Sequence, residues 1–147
     1  MLSFRVAEPT DAPSIKQFVT QAGLSSEGID ECIRSFVILE TDKKKMAGTV
    51  GLERYGKNGL IRSLVLDKDY SSEELLLRLL TSVLRHAEQQ GIEKAYLLTR
   101  VTTIFHTLGF TETAHEHVPQ ILLASPHIQQ YDKDQIAIMK RSLVPAP

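Results

Sequence analysis

The sequence predicts a single α/β domain built on a mixed sheet of roughly six or seven strands flanked by helices. Three observations carry that prediction. Runs 35–40, 46–55 and 60–66 follow one another across short turns and read as an antiparallel meander. The last run feeds, through a loop, a long helix with one apolar face. That helix feeds a short apolar strand at 95–98. A strand, helix and strand of these lengths form a crossover between parallel neighbours, so the sheet has to be mixed.

Each element follows from local chemistry. Residues 2–8 alternate as a strand, with Phe4 and Val6 on one side. Thr10 reads as a helix N-cap and Pro13 falls in the first turn, where its missing N–H does no harm. Ile15, Phe18 and Val19 follow at helical spacing, and Gly23 ends the helix. Residues 25–34 read as a second short helix. Residues 41–45, with Lys43, Lys44 and Lys45, form a charged turn between two strands, and Lys57-Asn58-Gly59 forms the next turn. Ser71 and Glu74 match the S-x-x-E capping box. Behind them Leu76, Leu79, Leu80, Val83, Leu84 and Ala87 make the buried stripe, and Gly91 supplies the stop. Residues 102–108 read as a short helix, 110–116 as a strand, 119–124 as a helical turn and 135–143 as the last strand. The domain therefore spans 1–143, and 144–147 is a frayed tail.

Bulk composition excludes several classes. The 147 residues are 42% hydrophobic and 24% charged with a net charge of −1, which suits one ordinary core and builds no basic face for nucleic acid. No run approaches the ~20 apolar residues of a membrane span, and the N-terminus has no secretory h-region. The single cysteine, Cys32, excludes an internal disulfide and fits a reducing compartment. A cytoplasmic protein is expected.

Several phrases carry a resemblance. Phe4-Arg5-Val6-Ala7 with Thr10, Asp11, Ala12 and Ile15 looks like an opening strand and first helix, and 47–52 (AGTVGL) like a third strand. Residues 87–91 (AEQQG) followed by 95–98 (AYLL) look like the end of a central helix and a fifth strand, and 105–110 (FHTLGF) like a Tyr-x-x-x-Gly-Phe motif. In this order they resemble the GNAT superfamily of acyl-CoA N-acyltransferases over most of the chain. Residues 51–56, 59–65, 96–99 and 136–139 with Leu143 most resemble its arsenic-resistance-associated N-acetyltransferase group.

The resemblance implies a GNAT-type sheet and transfer of an acetyl group from acetyl-CoA to a small-molecule amine by direct attack, with a homodimer as one possible assembly. It places the donor along the strand ending at Leu66, with backbone amides at Leu64, Val65 and Leu66 as the oxyanion site. The pyrophosphate would lie over Ser71, Ser72, Glu73 and Glu74, and the pantetheine beside Leu98 and Thr99. Two departures stand out. The family's phosphate loop reads Arg/Gln-x-x-Gly-x-Gly/Ala, and its glycines let amides approach the diphosphate. This chain has Ser-Ser-Glu-Glu there. A unit charge ~5 Å from a phosphate at an effective dielectric of 20 repels by about 3 kcal/mol. The same residues make a good helix cap, since acids favour a helix N-terminus. The second departure is Phe105, which stands where a tyrosine commonly protonates the leaving thiolate and has no proton to give.

Glu53 is the candidate base, with Tyr55 on the same face two residues on. Arg62 alternates with Leu60 and Leu64, and either binds a substrate carboxylate or pairs with Glu53 across the hairpin. His115 and His117 share a strand face but lack a third ligand nearby, so no metal site is expected. Gly51, Gly56 and Gly59 belong to strand and turn geometry. The competing reading is a degenerate GNAT-fold binding module without catalysis, which the missing glycines and Phe105 favour.

Overall fold

The computed structural model describes residues 1–132 and 134–144. Among the described residues seven strands form one sheet: β1 (Leu2–Val6), β2 (Val37–Thr41), β3 (Met46–Tyr55), β4 (Asn58–Leu66), β5 (Lys94–Thr99), β6 (Thr111–Thr113) and β7 (Ala137–Ser142). Their spatial order is β1-β2-β3-β4-β5-β7-β6. The meander pairs antiparallel, and β4 and β5 pair parallel, as the crossover requires. Residues 145–147 of the expected tail lie outside the described residues.

Alternation along the strands divides the core. Val37, Leu39, Val50, Leu52, Ile61 and Leu97 face α2 (Glu73–Gln89), whose Leu79, Leu80, Val83, Leu84 and Ala87 are buried against them. At the start of the helix Leu75, not Leu76, joins this cluster. Phe36 and Ile38 face the other way and pack against Ile15 and Val19 of α1 (Ala12–Gln21). Leu60, Tyr96 and Ile138 share that second face with Leu122 of α4 (Gln120–Leu123) and Ile128 of α5 (Pro126–Gln129). One face thus carries α2, together with Phe105 of α3 (Thr103–His106); the other carries α1, α4 and α5.

Several boundaries differ from those the sequence predicts. A 3₁₀ turn at Pro9–Asp11 precedes α1, and Asp11 Oδ2 accepts from the Glu8 amide at 2.7 Å, so Thr10 is no cap. Within 25–34 only a 3₁₀ segment at Asp30–Ser35 is helical. The β3–β4 turn is Gly56-Lys57, one residue earlier than expected: Tyr55 pairs with Asn58, and Gly56 takes φ +64° at the first central position of a two-residue hairpin. The predicted strand 110–116 shortens to β6, because His115–His117 winds into a 3₁₀ turn. The two histidines therefore do not sit on a strand. The helix start at Pro126 is an addition.

Candidate active site

The site grows from an irregularity in β4. Thr49 pairs with Val65 but Gly51 pairs with Arg62, so one residue of β3 opposes two of β4, Ser63 and Leu64. Ser63 is buried with φ +56°, a conformation that costs a non-glycine residue about 1 kcal/mol or more. Its surroundings hold it there. The Ser63 hydroxyl accepts from Arg62 Nε at 3.2 Å and its carbonyl accepts from Thr49 Oγ1 at 2.9 Å. The extra residue also reverses the alternation: Leu64 and Leu66 turn to the α2 face and Val65 to the α1 face. Leu64 therefore does not share a face with Leu60 and Arg62, contrary to the period-two reading.

Beyond this point the parallel pair separates. β4 and β5 pair at Asn58↔Lys94, Gly59↔Ala95 and Leu60↔Tyr96. Past these rungs lies a cavity of about 200 Å³. Its walls include Ile61, Leu64, Leu97 and Phe105, which belong to the α2 side, and Arg62, His127 and Tyr131 from the other side. The slot therefore passes through the sheet. On the α1 side it adjoins a chamber of about 500 Å³ walled by the 3₁₀ segment, β3 and α5. Ser25, Arg62, His127 and Gln130 border both cavities.

A locked charge cluster forms the chamber wall. Arg62 Nη1 lies 2.8 Å from Glu53 Oε2, with side-chain exposures of 4% and 15%. Glu53 Oε1 accepts from the Tyr55 hydroxyl at 2.8 Å and from the Ser125 hydroxyl at 2.7 Å. The remaining Arg62 nitrogens donate to the Ser25 carbonyl and the Ser63 hydroxyl, both at 3.2 Å. Of the two roles open to Arg62, pairing with Glu53 is the one realised. Three of its five N–H groups are engaged within the protein, and the guanidinium borders the chamber. Glu53 Oε1 meets two donors and Oε2 one, so three of the carboxylate's roughly four acceptor positions are filled. Gly28 makes room for this arrangement: a Cβ there would stand 3.2 Å from Arg62 Nη1, and its φ of +80° favours glycine.

Burial shifts the titrating groups around the chamber. Desolvation pushes the Cys32 thiol up to about 11, so it is a neutral thiol that donates to the Gly28 carbonyl at 3.3 Å. The Tyr55 phenol is raised, first by burial and also by Glu53 beside it. His127 is lowered, chiefly by burial, with Glu53 and Arg62 acting in opposite directions. The imidazole is therefore neutral at pH 7.

The donor end differs from its sequence reading in one detail. Ser72, not Ser71, is the N-cap of α2: its hydroxyl accepts from the Leu75 amide at 3.1 Å, and the third helical position is Leu75 rather than a glutamate. The expected capping box is therefore absent. Ser71, Ser72, Glu73 and Glu74 are all exposed. The amides of Glu73 and Glu74 open the first turn, where no intrahelical acceptor exists. Leu64, Leu98 and Phe105 line the slot; Val65, Leu66 and Thr99 line neither cavity. Thr99 instead closes a local turn, its hydroxyl accepting from the Val101 amide at 2.9 Å. Phe105 stacks edge-on against Phe110, and His106 Nδ1 turns to the Phe110 carbonyl at 3.0 Å, away from any role in place of a tyrosine.

Sequence reasoning missed Ser25, Ser125, His127 and Gln130. One signal was present: Ser125-Pro126 is an N-cap followed by proline at the first helical position, and the Ser125 hydroxyl caps the His127 amide at 3.2 Å. Nothing local signals that Ser125 meets Glu53.

No protein-family model matches the sequence. The uncharacterized protein YwlB of Bacillus subtilis (strain 168) is 29% identical over 141 residues, covering 93% of this chain and 94% of that protein. Among solved structures, the N-acetylglutamate synthase of Neisseria gonorrhoeae, complexed with coenzyme A and N-acetyl-glutamate, superposes with a TM-score of 0.76 at 22% identity. That match covers 99% of this chain and 36% of the synthase, so this chain spans about a third of that protein's length. A GNAT-family acetyltransferase from Staphylococcus aureus Mu50 superposes with a TM-score of 0.74 at 17% identity, over 98% of this chain and 100% of that one. The chain has the GNAT fold, and its seven-stranded mixed sheet is the one the sequence predicts.

Proposed function

We propose that the chain is an acetyl-CoA-dependent N-acetyltransferase that acts on a small primary amine. The observation that carries this reading is the slot through the sheet between β4 and β5, which joins the α2 side to the chamber lined by Glu53, Tyr55 and Arg62. A thioester threaded from the α2 side would present its carbonyl at the mouth of the chamber, and an amine in the chamber would attack it. Holding the two reactants on opposite sides of one opening supplies the proximity that a bimolecular transfer needs. The structural neighbour with coenzyme A bound supports the same donor.

In this reading Leu64 and Leu98 flank the pantetheine, and backbone amides of the β4 bulge polarise the thioester oxygen. The diphosphate lies over the first turn of α2, held by the amides of Glu73 and Glu74 and the hydroxyls of Ser71 and Ser72. Glu53 and Arg62 shape the acceptor chamber. The closest phrasing to the arsenic-resistance group rests on sequence alone and suggests an amino-acid-like acceptor. Arg62 has three of its five N–H groups engaged within the protein and borders the chamber, which leaves donors for an acceptor carboxylate.

The second reading, a GNAT-fold binding module without catalysis, is favoured by Phe105 and by the two glutamates at the α2 start. Calorimetric titration with acetyl-CoA and mass spectrometry of a set of small amines separate the two. Acetyl-CoA at a hundred times its Kd stabilises the folded state by about 2.7 kcal/mol, a rise of roughly 5–10 °C in Tm. Binding with product formation is the expected result. A flat titration overturns the enzyme reading, and binding without any product supports the module.

A further inference from the structure

We propose, resting on the acetyl-transfer reading above, that His127 carries the proton from the attacking amine to the departing thiolate. The amine reacts from the chamber and the sulfur leaves from the slot, so a single group serving both must border both cavities. Among the described residues four do: Ser25, Arg62, His127 and Gln130. A guanidinium is a permanent cation, and a hydroxyl and a carboxamide do not take up protons at neutral pH. Only the imidazole has a basic lone pair.

The other groups on hand each border one cavity at most. Glu53 already accepts from Arg62, Tyr55 and Ser125. The Cys32 thiol is held neutral by burial. Phe105 has no proton at the place where an acid would serve the sulfur. One imidazole at the junction replaces both the missing base and the missing acid.

The ring is set up for this. Nδ1 lies 3.2 Å from the Gln130 amide, and Nε2 has no hydrogen-bond partner among the described residues. The Gln130 amide nitrogen faces Nδ1 and also donates to the His127 carbonyl at 3.1 Å. The base form is the tautomer protonated at Nδ1, in which the Nδ1 contact is given up and Nε2 carries the lone pair through which the proton passes. In the step itself the neutral amine's lone pair forms the N–C bond to the thioester carbonyl. The C–S bond breaks with its electron pair going to sulfur. The amine proton moves to Nε2 and then to the thiolate, leaving an amide, a free thiol and a neutral imidazole. Burial lowers the pKa of His127, and around it stand Glu53 and Tyr55 from β3, Arg62 from β4, Cys32 from the 3₁₀ segment and Tyr131, edge-on at 5.7 Å. Activity is thus expected to fall as pH drops, with an acid limb below the ordinary histidine value of 6.5.

The test compares His127→Ala and His127→Gln with the unmodified chain, using acetyl-CoA with ethylamine or hydroxylamine as acceptor. Both His127 variants are expected to keep the acetyl-CoA Kd within a few fold by calorimetry. They should lose about a hundredfold to ten-thousandfold in kcat with ethylamine, together with the acid limb. Hydroxylamine, already unprotonated at neutral pH and a stronger nucleophile, should lose much less, and added imidazole should restore part of the ethylamine rate in His127→Ala. Unchanged kcat and an unchanged acid limb in the His127 variants overturn the proposal while leaving the acetyl-transfer reading intact. Absence of acetyl-CoA binding, or of transfer to either amine, in the unmodified chain overturns the acetyl-transfer reading and this step with it.

Discussion

The chamber on the α1 side and the start of α2 treat carboxylates in opposite ways. In the chamber Glu53 is mostly buried, and its two oxygens meet the guanidinium of Arg62 and the hydroxyls of Tyr55 and Ser125. At the start of α2, Glu73 and Glu74 stand in water, and neither joins a salt bridge among the described residues. A buried charge has to be matched to exist at all, and once matched it is fixed in place. An exposed charge needs no partner, acts through water, and is felt only weakly by its neighbours. The first arrangement builds a rigid wall for the chamber proposed to take the acceptor. In the proposed reading the second only modulates a diphosphate site whose main attraction comes from backbone amides.

The sharpest way to break this contrast is to unpair the chamber. Arg62→Met removes the cation and leaves the Glu53 carboxylate facing two hydroxyls inside the protein. A loss of about 3–5 kcal/mol is expected, read by urea unfolding, with Tm lowered by roughly 10 °C. Adding Glu53→Gln to that variant should recover much of the loss, because the charge that became costly is gone. A double variant no more stable than Arg62→Met alone would mean that packing of the long side chain, and not charge matching, holds the wall.

The next effect in size tests how tightly the strand beneath the wall is packed. A Cβ added at Gly51 would stand 2.3 Å from the Phe36 ring, which is fully buried. Gly51→Ala should cost about 1–3 kcal/mol by thermal unfolding, since the ring must shift within a filled core. At the other region the equivalent change is smaller. Ser72→Ala removes the α2 cap and should cost about 1 kcal/mol, while Ser71→Ala should change stability by a few tenths at most. Equal losses in the two variants would restore the capping role that the S-x-x-E spacing assigns to Ser71.

How much of this was legible in the sequence follows from the range of the interactions involved. The meander, the crossover helix and the parallel strand were readable because each is written in local periodicity and turn residues. The β4 bulge was not, because Ser63 is an ordinary strand residue in sequence; only the pairing of its neighbours, Val65 with Thr49 and Arg62 with Gly51, creates the extra position. That single residue reversed the predicted facing of Leu64. The Glu53–Arg62 pair was readable as one of two options because both lie on the same hairpin. Ser125 and His127 were not, since they reach the chamber from an element 72 residues beyond Glu53 in the case of Ser125. Sequence spacing carries no information about such an approach. The cap of α2 was misassigned by one residue because Ser71 and Ser72 are chemically alike, and backbone geometry, extended with φ −152° at Ser72, decides between them.

The smallest predicted effect bears on the donor end. At 5 Å the repulsion between one glutamate and a phosphate is about 3 kcal/mol at an effective dielectric of 20, but roughly 0.8 kcal/mol in bulk water. Because Glu73 and Glu74 are exposed, the lower figure applies, and each charge weakens binding only a few fold. The double variant Glu73→Gln, Glu74→Gln should therefore tighten acetyl-CoA binding by about tenfold at low salt. The gain should shrink as ionic strength rises and the Debye length falls toward ~8 Å. Calorimetric titrations at two salt concentrations read both quantities. A gain well above a hundredfold would place the acids in a desolvated pocket against the phosphates. No gain at either salt concentration would move the diphosphate away from α2 altogether, leaving the slot between β4 and β5 to be entered by a donor without that group.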